Sequence, residues 1–328
     1  MHKNPFFLIP TFIAIIFMFG SLFLFYSLPT QSAYQEIEPA AQQAKFMPEL
    51  IFNPLPENKA IKIGAAVPKK ITEAADPYVN PGAAVIMDSQ SGKIIFSKDA
   101  NSPRAIASIT KLATALVFLD NNPGWEAEYE IKHSDRVNGG KIYLFSGEKV
   151  KIKDLFYLSL VGSANTATLA LVNSTGLSET EFVAAMNAKA KDLNLKNTNF
   201  VDSIGLSHLN RSTAYEAAKL AKAAFENEDI SRAVMSKEYF FTTAGGRKKI
   251  VYNTDSLLKS FPINGIKLSG GKTGYTPVAG YCFAGKFKNE SNQEIFVVIL
   301  GGENHDYRFQ KTKELALWTY NNFSWKYY

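Results

Sequence analysis

The strongest constraint on the fold is the order of its apolar patterns: strand-like runs stand at both ends of one region, with helical periodicities between them. Ala83–Asp88 and Lys93–Ser97 are apolar runs of strand length joined through Ser91-Gly92. Gly280–Phe287 and Glu294–Leu300 read as strands near the other end. Between them, Leu112, Ala115, Leu116 and Leu119 recur at helical spacing within 108–119. Asp154–Val161, Asn165–Asn173, Glu179–Leu193 and Thr213–Glu226 carry similar patterns, and Tyr307–Phe323 predicts a closing helix. Early and late strands pairing in one antiparallel sheet, flanked by helices and carrying a mostly helical second lobe, make an α+β domain.

Composition supports a folded core. Of 328 residues 46% are hydrophobic and 20% charged, the balance of a globular protein. The net charge of +6 suits an anionic neighbour such as a wall polymer or lipid headgroups, although ordinary surface lysines give the same sum. No zinc-finger or other nucleic-acid motif is present, so no nucleic-acid partner is expected. Cys282 is the single cysteine and sits in a strand-like run, which reads as a buried structural thiol and excludes an internal disulfide. Four scattered histidines lack ligand spacing, so neither a metal nor another cofactor is expected.

The amino-terminal region differs from the rest. No charged residue falls between Phe6 and Leu28. A membrane-spanning helix needs about 20 apolar residues, whereas a cleavable signal has an apolar core of roughly 7–15. Residues 1–28 are therefore expected to be a cytoplasmic stub and a single-pass anchor in the cytoplasmic membrane. The rival is cleavage after Ala33. Lys3 before the run and Glu36 and Glu38 after it place the remainder outside the cytoplasm. Residues 29–79, broken by seven prolines, read as a linker, and the folded domain is expected over 80–328.

Three motifs supply chemistry. Ser108 and Lys111 are three apart at a helix start, which puts both on one face. A serine there also sits near free backbone N–H groups and the positive end of the helix dipole. Ser163-Ala164-Asn165 opens the next helical stretch, and Lys272-Thr273-Gly274 follows Gly270-Gly271. Each alone reads equally as helix capping or a glycine-rich turn. Together and in this order they offer a nucleophile, two amines, an amide and a hydroxyl-bearing strand, with Gly274 permitting close approach of a substrate backbone.

With these residues the chain resembles the low-molecular-mass penicillin-binding proteins, the serine-type D-alanyl-D-alanine carboxypeptidases, from about Pro81 to Trp318. Ala107–Leu112, Leu193–Phe200, Asp202-Ser203-Ile204-Gly205-Leu206 and Gly271–Thr276 carry the likeness. The second motif departs from a frequent Ser-Gly-Asn by having Ala164. The resemblance implies a β-lactamase-like fold and trimming of peptidoglycan stem peptides ending in D-Ala-D-Ala outside the cell, with β-lactams as inhibitors. It implies Ser108 as nucleophile, Lys111 as its base and Ser163 as proton relay. Asn165, Lys272, Thr273, Gly274 and Tyr275 would bind substrate, and the N–H groups of Ser108 and Tyr275 would form the oxyanion hole. Class A β-lactamases add a glutamate that activates the deacylating water; none occurs from Ala184 to Tyr215, so slow penicillin turnover is expected. A DD-endopeptidase using the same residues and a non-catalytic β-lactam sensor are the alternatives. A transpeptidase is expected to bring further domains, for which this chain leaves no room.

Overall fold

The computed structural model describes residues 66–80, 82–137 and 139–326. The apolar run 6–28 and most of the 29–79 segment lie outside these residues. Among the described residues no helix is long and apolar enough to cross a membrane.

Five strands build the central sheet: β1 (Ala83–Asp88), β2 (Ile94–Lys98), β3 (Lys267–Thr276), β4 (Gly280–Lys288) and β5 (Glu294–Gly302). Their order is β3-β4-β5-β1-β2, with every neighbouring pair antiparallel. The early β1 enters beside the late β5, with Val85 opposite Val298. Asp88 Oδ2 accepts from the Ser91 N–H (2.7 Å) in the β1–β2 turn, where Gly92 takes a left-handed φ of +69°.

Strand alternation feeds two cores. Ala83, Val85, Met87, Phe296 and Val298 face the helical lobe, while Ala84, Ile86, Val297 and Ile299 face the closing helix. All six residues of β1 are therefore buried, as expected of a strand covered on both sides.

The helices are α1 (Lys111–Asp120), α2 (Ile152–Leu160), α3 (Asn165–Ser174), α4 (Glu179–Asp192), α5 (Ala214–Phe225), α6 (Glu228–Met235) and α7 (His305–Asn322). Their starts follow from side-chain caps. Ser178 Oγ accepts from Glu181 N–H (3.3 Å) while Glu181 Oε2 accepts from Ser178 N–H (2.9 Å), a reciprocal box. Thr213 and Asn304 cap α5 and α7 in the same sense. Helix α5 covers one sheet face and α7 the other, and α1 runs through the helical lobe, where Phe118 packs on Phe156.

Three features depart from the sequence reading. Val67–Lys70 pairs antiparallel with Phe323–Lys326, so the packed region reaches back into the segment read as linker rather than starting at residue 80. Pro68 hides this strand in the sequence, and its tolerance at a two-stranded edge is the physical reason it can sit there. Ser108 lies in a 3-10 turn, Ala107–Thr110, ahead of α1 rather than in the α-helix itself. Helix α6 and the hairpin Glu238–Thr242 with Lys248–Tyr252 had no distinct sequence signal.

Candidate active site

The three motifs converge where α1, the α2–α3 turn and strand β3 meet. Ser108 is carried on the 3-10 turn, preceded by Ala107 in a left-handed conformation (φ 47°) that a side-chain-bearing residue adopts at a cost. Lys111 opens α1 and is fully buried, with its Nζ 3.0 Å from Ser108 Oγ. The same Nζ donates to Asn165 Oδ1 (2.8 Å) and to the carbonyl of Ile204 (2.6 Å). Burial pushes the Lys111 amine down to about 7, against a smaller opposing pull from the Asp202 carboxylate.

Ser163 occupies the α2–α3 turn, also with a left-handed backbone (φ 53°). Lys272 Nζ donates to its Oγ at 2.9 Å. Lys272 is 1% exposed, and burial, reinforced by Lys111 and Arg308, holds its amine well below the ordinary lysine range; Asp255 pulls weakly the other way. Asn165 opens α3 and braces Lys111, while one of its Nδ2 hydrogens goes to the Gly139 carbonyl (3.0 Å). Thr273 Oγ1 is 2.6 Å from Thr254 Oγ1. Tyr275 is half exposed at the end of β3 and stacks on Tyr281 with 4.2 Å between centroids.

Gly274 has a different neighbour from the one its motif suggests. A Cβ there would lie 2.8 Å from the Ile106 carbonyl and 3.2 Å from Ser108 N. The bare residue makes room for the serine's own loop. Gly271, immediately before the motif, makes room for Asp255, whose Oδ2 would stand 2.1 Å from such a Cβ.

Four groups escaped the sequence reading. The Ile204 carbonyl is held in place by Asp202, whose Oδ1 accepts from Ile204 N–H (2.9 Å) and whose Oδ2 accepts from Ser207 N–H (2.7 Å). Arg308 on α7 is buried and donates through Nη1 to the Gly274 carbonyl (3.0 Å), fixing β3 from behind. Asp255 is buried behind Gly271, and burial raises its carboxyl to about 7. Thr254 faces Thr273. A single arginine in a helix reads as a surface charge, so Arg308 gave no signal. The Asp202–Leu206 segment did, as part of the family likeness, without showing which atom it supplies.

Cys282 on β4 is buried and free, and burial raises its thiol to about 11. That suits a structural residue and not a nucleophile.

A serine beside a buried, proton-poor amine, with a second amine–serine pair across the cleft, is an arrangement for acyl transfer. Known proteins resemble the chain that carries it. The chain is 31% identical over 239 residues to the D-alanyl-D-alanine carboxypeptidase DacF of Bacillus subtilis, a match covering 71% of this chain but only 60% of that relative. It is 33% identical over 233 residues to a D-alanyl-D-alanine endopeptidase of Haemophilus influenzae, covering 70% and 78%. The solved Streptomyces K15 DD-transpeptidase superposes with a TM-score of 0.69 at 25% identity, covering 76% of this chain and all of that one. That protein is named a transpeptidase yet is spanned entirely by the matched fold, so the expectation that a transpeptidase brings further domains does not hold. The family model for D-alanyl-D-alanine carboxypeptidases matches residues 70–304, and with the relatives it shows that the chain belongs to that serine peptidase family.

Proposed function

We propose that this chain is a serine-type D-alanyl-D-alanine carboxypeptidase that removes the terminal D-alanine of peptidoglycan stem peptides through an acyl-enzyme on Ser108. β-Lactams would inhibit it by acylating the same oxygen. The environment of Lys111 carries the reading. Asn165 Oδ1 and the Ile204 carbonyl can only accept. They take both hydrogens of a neutral amine, which leaves the nitrogen lone pair for the third neighbour, Ser108 Oγ.

The serine proton passes to Lys111 as Oγ adds to the carbonyl between the two alanines. The carbonyl oxygen becomes an oxyanion facing the N–H groups of Ser108 and Tyr275, and one such donor is typically worth about 100–1,000-fold in rate. The C–N bond then breaks. Ser163 gives its proton to the departing amine and regains one from Lys272, 2.9 Å away. Lys111 passes the proton it took to Lys272, replacing the one given to Ser163, so Lys111 is neutral again when water adds to the ester.

Lys272 and Thr273 hold the terminal carboxylate. Its arrival favours the charged form of Lys272, offsetting the burial that disfavours that form in the empty site. The second Nδ2 hydrogen of Asn165 binds a substrate carbonyl, and Gly274 keeps β3 close to the serine. The uncharged run 6–28 supports a single-pass anchor in the cytoplasmic membrane, with the catalytic domain on the outer side, where this substrate is found.

The test is incubation of the purified chain with a pentapeptide ending in D-Ala-D-Ala, with and without an acceptor amine, and with cross-linked muropeptide dimers. Mass spectrometry is expected to find free D-alanine. Absence of both D-alanine and a penicillin adduct would overturn the reading. Preferential cleavage of dimers would favour the endopeptidase, and capture of the acyl group by the amine would favour transfer.

A further inference from the structure

An open cavity of about 400 Å³ beside the turn from β3 to β4 is not used by the chemistry above. Arg104, Ala105, His208, Arg211, Val278 and Ala279 line it. Its charged lining is two guanidinium groups, with an imidazole beside them and no carboxylate. Arg104 Nε is buried without a hydrogen-bond partner. Arg211 is exposed and its guanidinium donates to the Pro103 carbonyl (3.0 Å). Among the described residues, the arginines found in ion pairs are Arg232 and Arg247, and neither of these two. The Asp99 carboxyl is held low chiefly by its hydrogen bond from Lys98 and to a smaller degree by the Arg104 charge. It forms no ion pair with Arg104, and the cavity keeps a positive lining suited to an anion from outside.

Its position says which anion. Ala105 lies three residues before Ser108, and Ala279 follows β3 in the turn to β4. On the carboxypeptidase reading, on which this inference rests, the terminal carboxylate sits at Lys272 and Thr273. The reacting carbonyl sits at Ser108 and Tyr275. One residue separates those two groups, so the peptide runs along β3 from 272 towards 275. Its upstream residues continue past Tyr275, at about 3.3 Å each, towards Val278 and Ala279.

We infer that the Arg104–His208–Arg211 cavity is a subsite for a free carboxylate carried one or two residues before the D-Ala-D-Ala pair. Bidentate pairing of a planar carboxylate with an arginine fork gives such a site selectivity as well as attraction. Exposure of Arg211 and His208 means that the attraction weakens as salt rises.

The test compares three synthetic acyl donors on the full chain: acetyl-L-Lys(acetyl)-D-Ala-D-Ala, which has no upstream charge; acetyl-L-α-aminoadipyl-D-Ala-D-Ala, with a carboxylate on the adjacent residue; and acetyl-γ-D-Glu-L-Lys(acetyl)-D-Ala-D-Ala, with one a residue earlier. At least one anionic peptide is expected to exceed the neutral one by roughly tenfold in kcat/KM, a size typical of one charge-assisted contact. Which one does locates the carboxylate. The variant His208→Gln/Arg211→Gln is expected to remove most of that advantage while its kcat/KM on the neutral peptide and its acylation by penicillin hold. Equal use of all three peptides by the wild type overturns the inference. So does a variant that lowers all three alike, or one that keeps the full preference. Failure of the underlying reading is distinct: no peptide would be cleaved and no penicillin adduct would form.

Discussion

Gly274 and Ser108 are in backbone contact: a Cβ at residue 274 would stand 3.2 Å from Ser108 N and 2.8 Å from the carbonyl of Ile106. The nucleophile's loop and strand β3 are thus set against each other by the lack of a side chain. Both proposed oxyanion donors, the N–H groups of Ser108 and Tyr275, depend on that spacing. Gly274→Ala should push the strand and the loop apart by a few tenths of an ångström or more. Acylation by penicillin, followed by stopped-flow or gel labelling, should slow by roughly 10–100-fold, while the circular dichroism spectrum is unchanged.

Lys111 gives a pH signature with a definite sign. Its amine is pushed from the ordinary lysine value of 10.5 to about 7 by burial. Between these values the unfolded chain binds the proton and the folded one does not, so this residue's penalty on stability is full below about 7 and fades as pH rises towards 10.5. Lys111→Met removes the penalty. The difference in Tm, variant minus wild type, should therefore be more positive at pH 6 than at pH 10; a difference flat with pH counts against a depressed Lys111. In the wild type, the acylation rate should rise through about pH 7 as Lys111 loses its proton.

Asp202 holds the loop that presents the Ile204 carbonyl to Lys111. Its carboxylate accepts from the N–H groups of Ile204, Gly205 and Ser207. Asp202→Asn turns one acceptor towards those donors into a donor. Urea denaturation should show a loss of about 1–3 kcal/mol, and acylation should slow because Lys111 loses its fixed partner.

No glutamate lies between Ala184 and Tyr215 to activate a deacylating water. The nearby Glu179 is engaged, accepting from Ser203 N–H (2.9 Å) and from Ser203 Oγ (3.1 Å). A chromogenic β-lactam mixed with the protein should therefore show one burst per protein molecule and then a plateau. Continuous linear turnover would contradict it.

Much of this arrangement was legible in the sequence. Apolar runs placed β1, β2, β4 and β5, and helical spacing placed α1 to α5 and α7 to within a few residues, because each buries a regular face. Strand β3 was harder: Gly270, Gly271 and Gly274 give it turn-like composition, and only the packing of Phe225, Asp255 and the Ser108 loop against those glycines explains it. Helix α6 has eight residues, too few for periodicity to stand out. Ser108, Lys111, Ser163, Asn165 and Lys272 were named from motifs, and they do come together. The Ile204 carbonyl was beyond reach because a backbone atom has no residue code. Arg308 and Asp255 were beyond reach because their effect arises from burial, which the sequence around them does not display.

The central claim is that one hydroxyl, that of Ser108, takes the acyl group. Mass spectrometry of the intact protein after exposure to benzylpenicillin, followed by peptide mapping, tests it most directly. The account predicts a single adduct on the peptide containing Ser108 and none in Ser108→Ala. An adduct on another residue, or one that persists in Ser108→Ala, would contradict it.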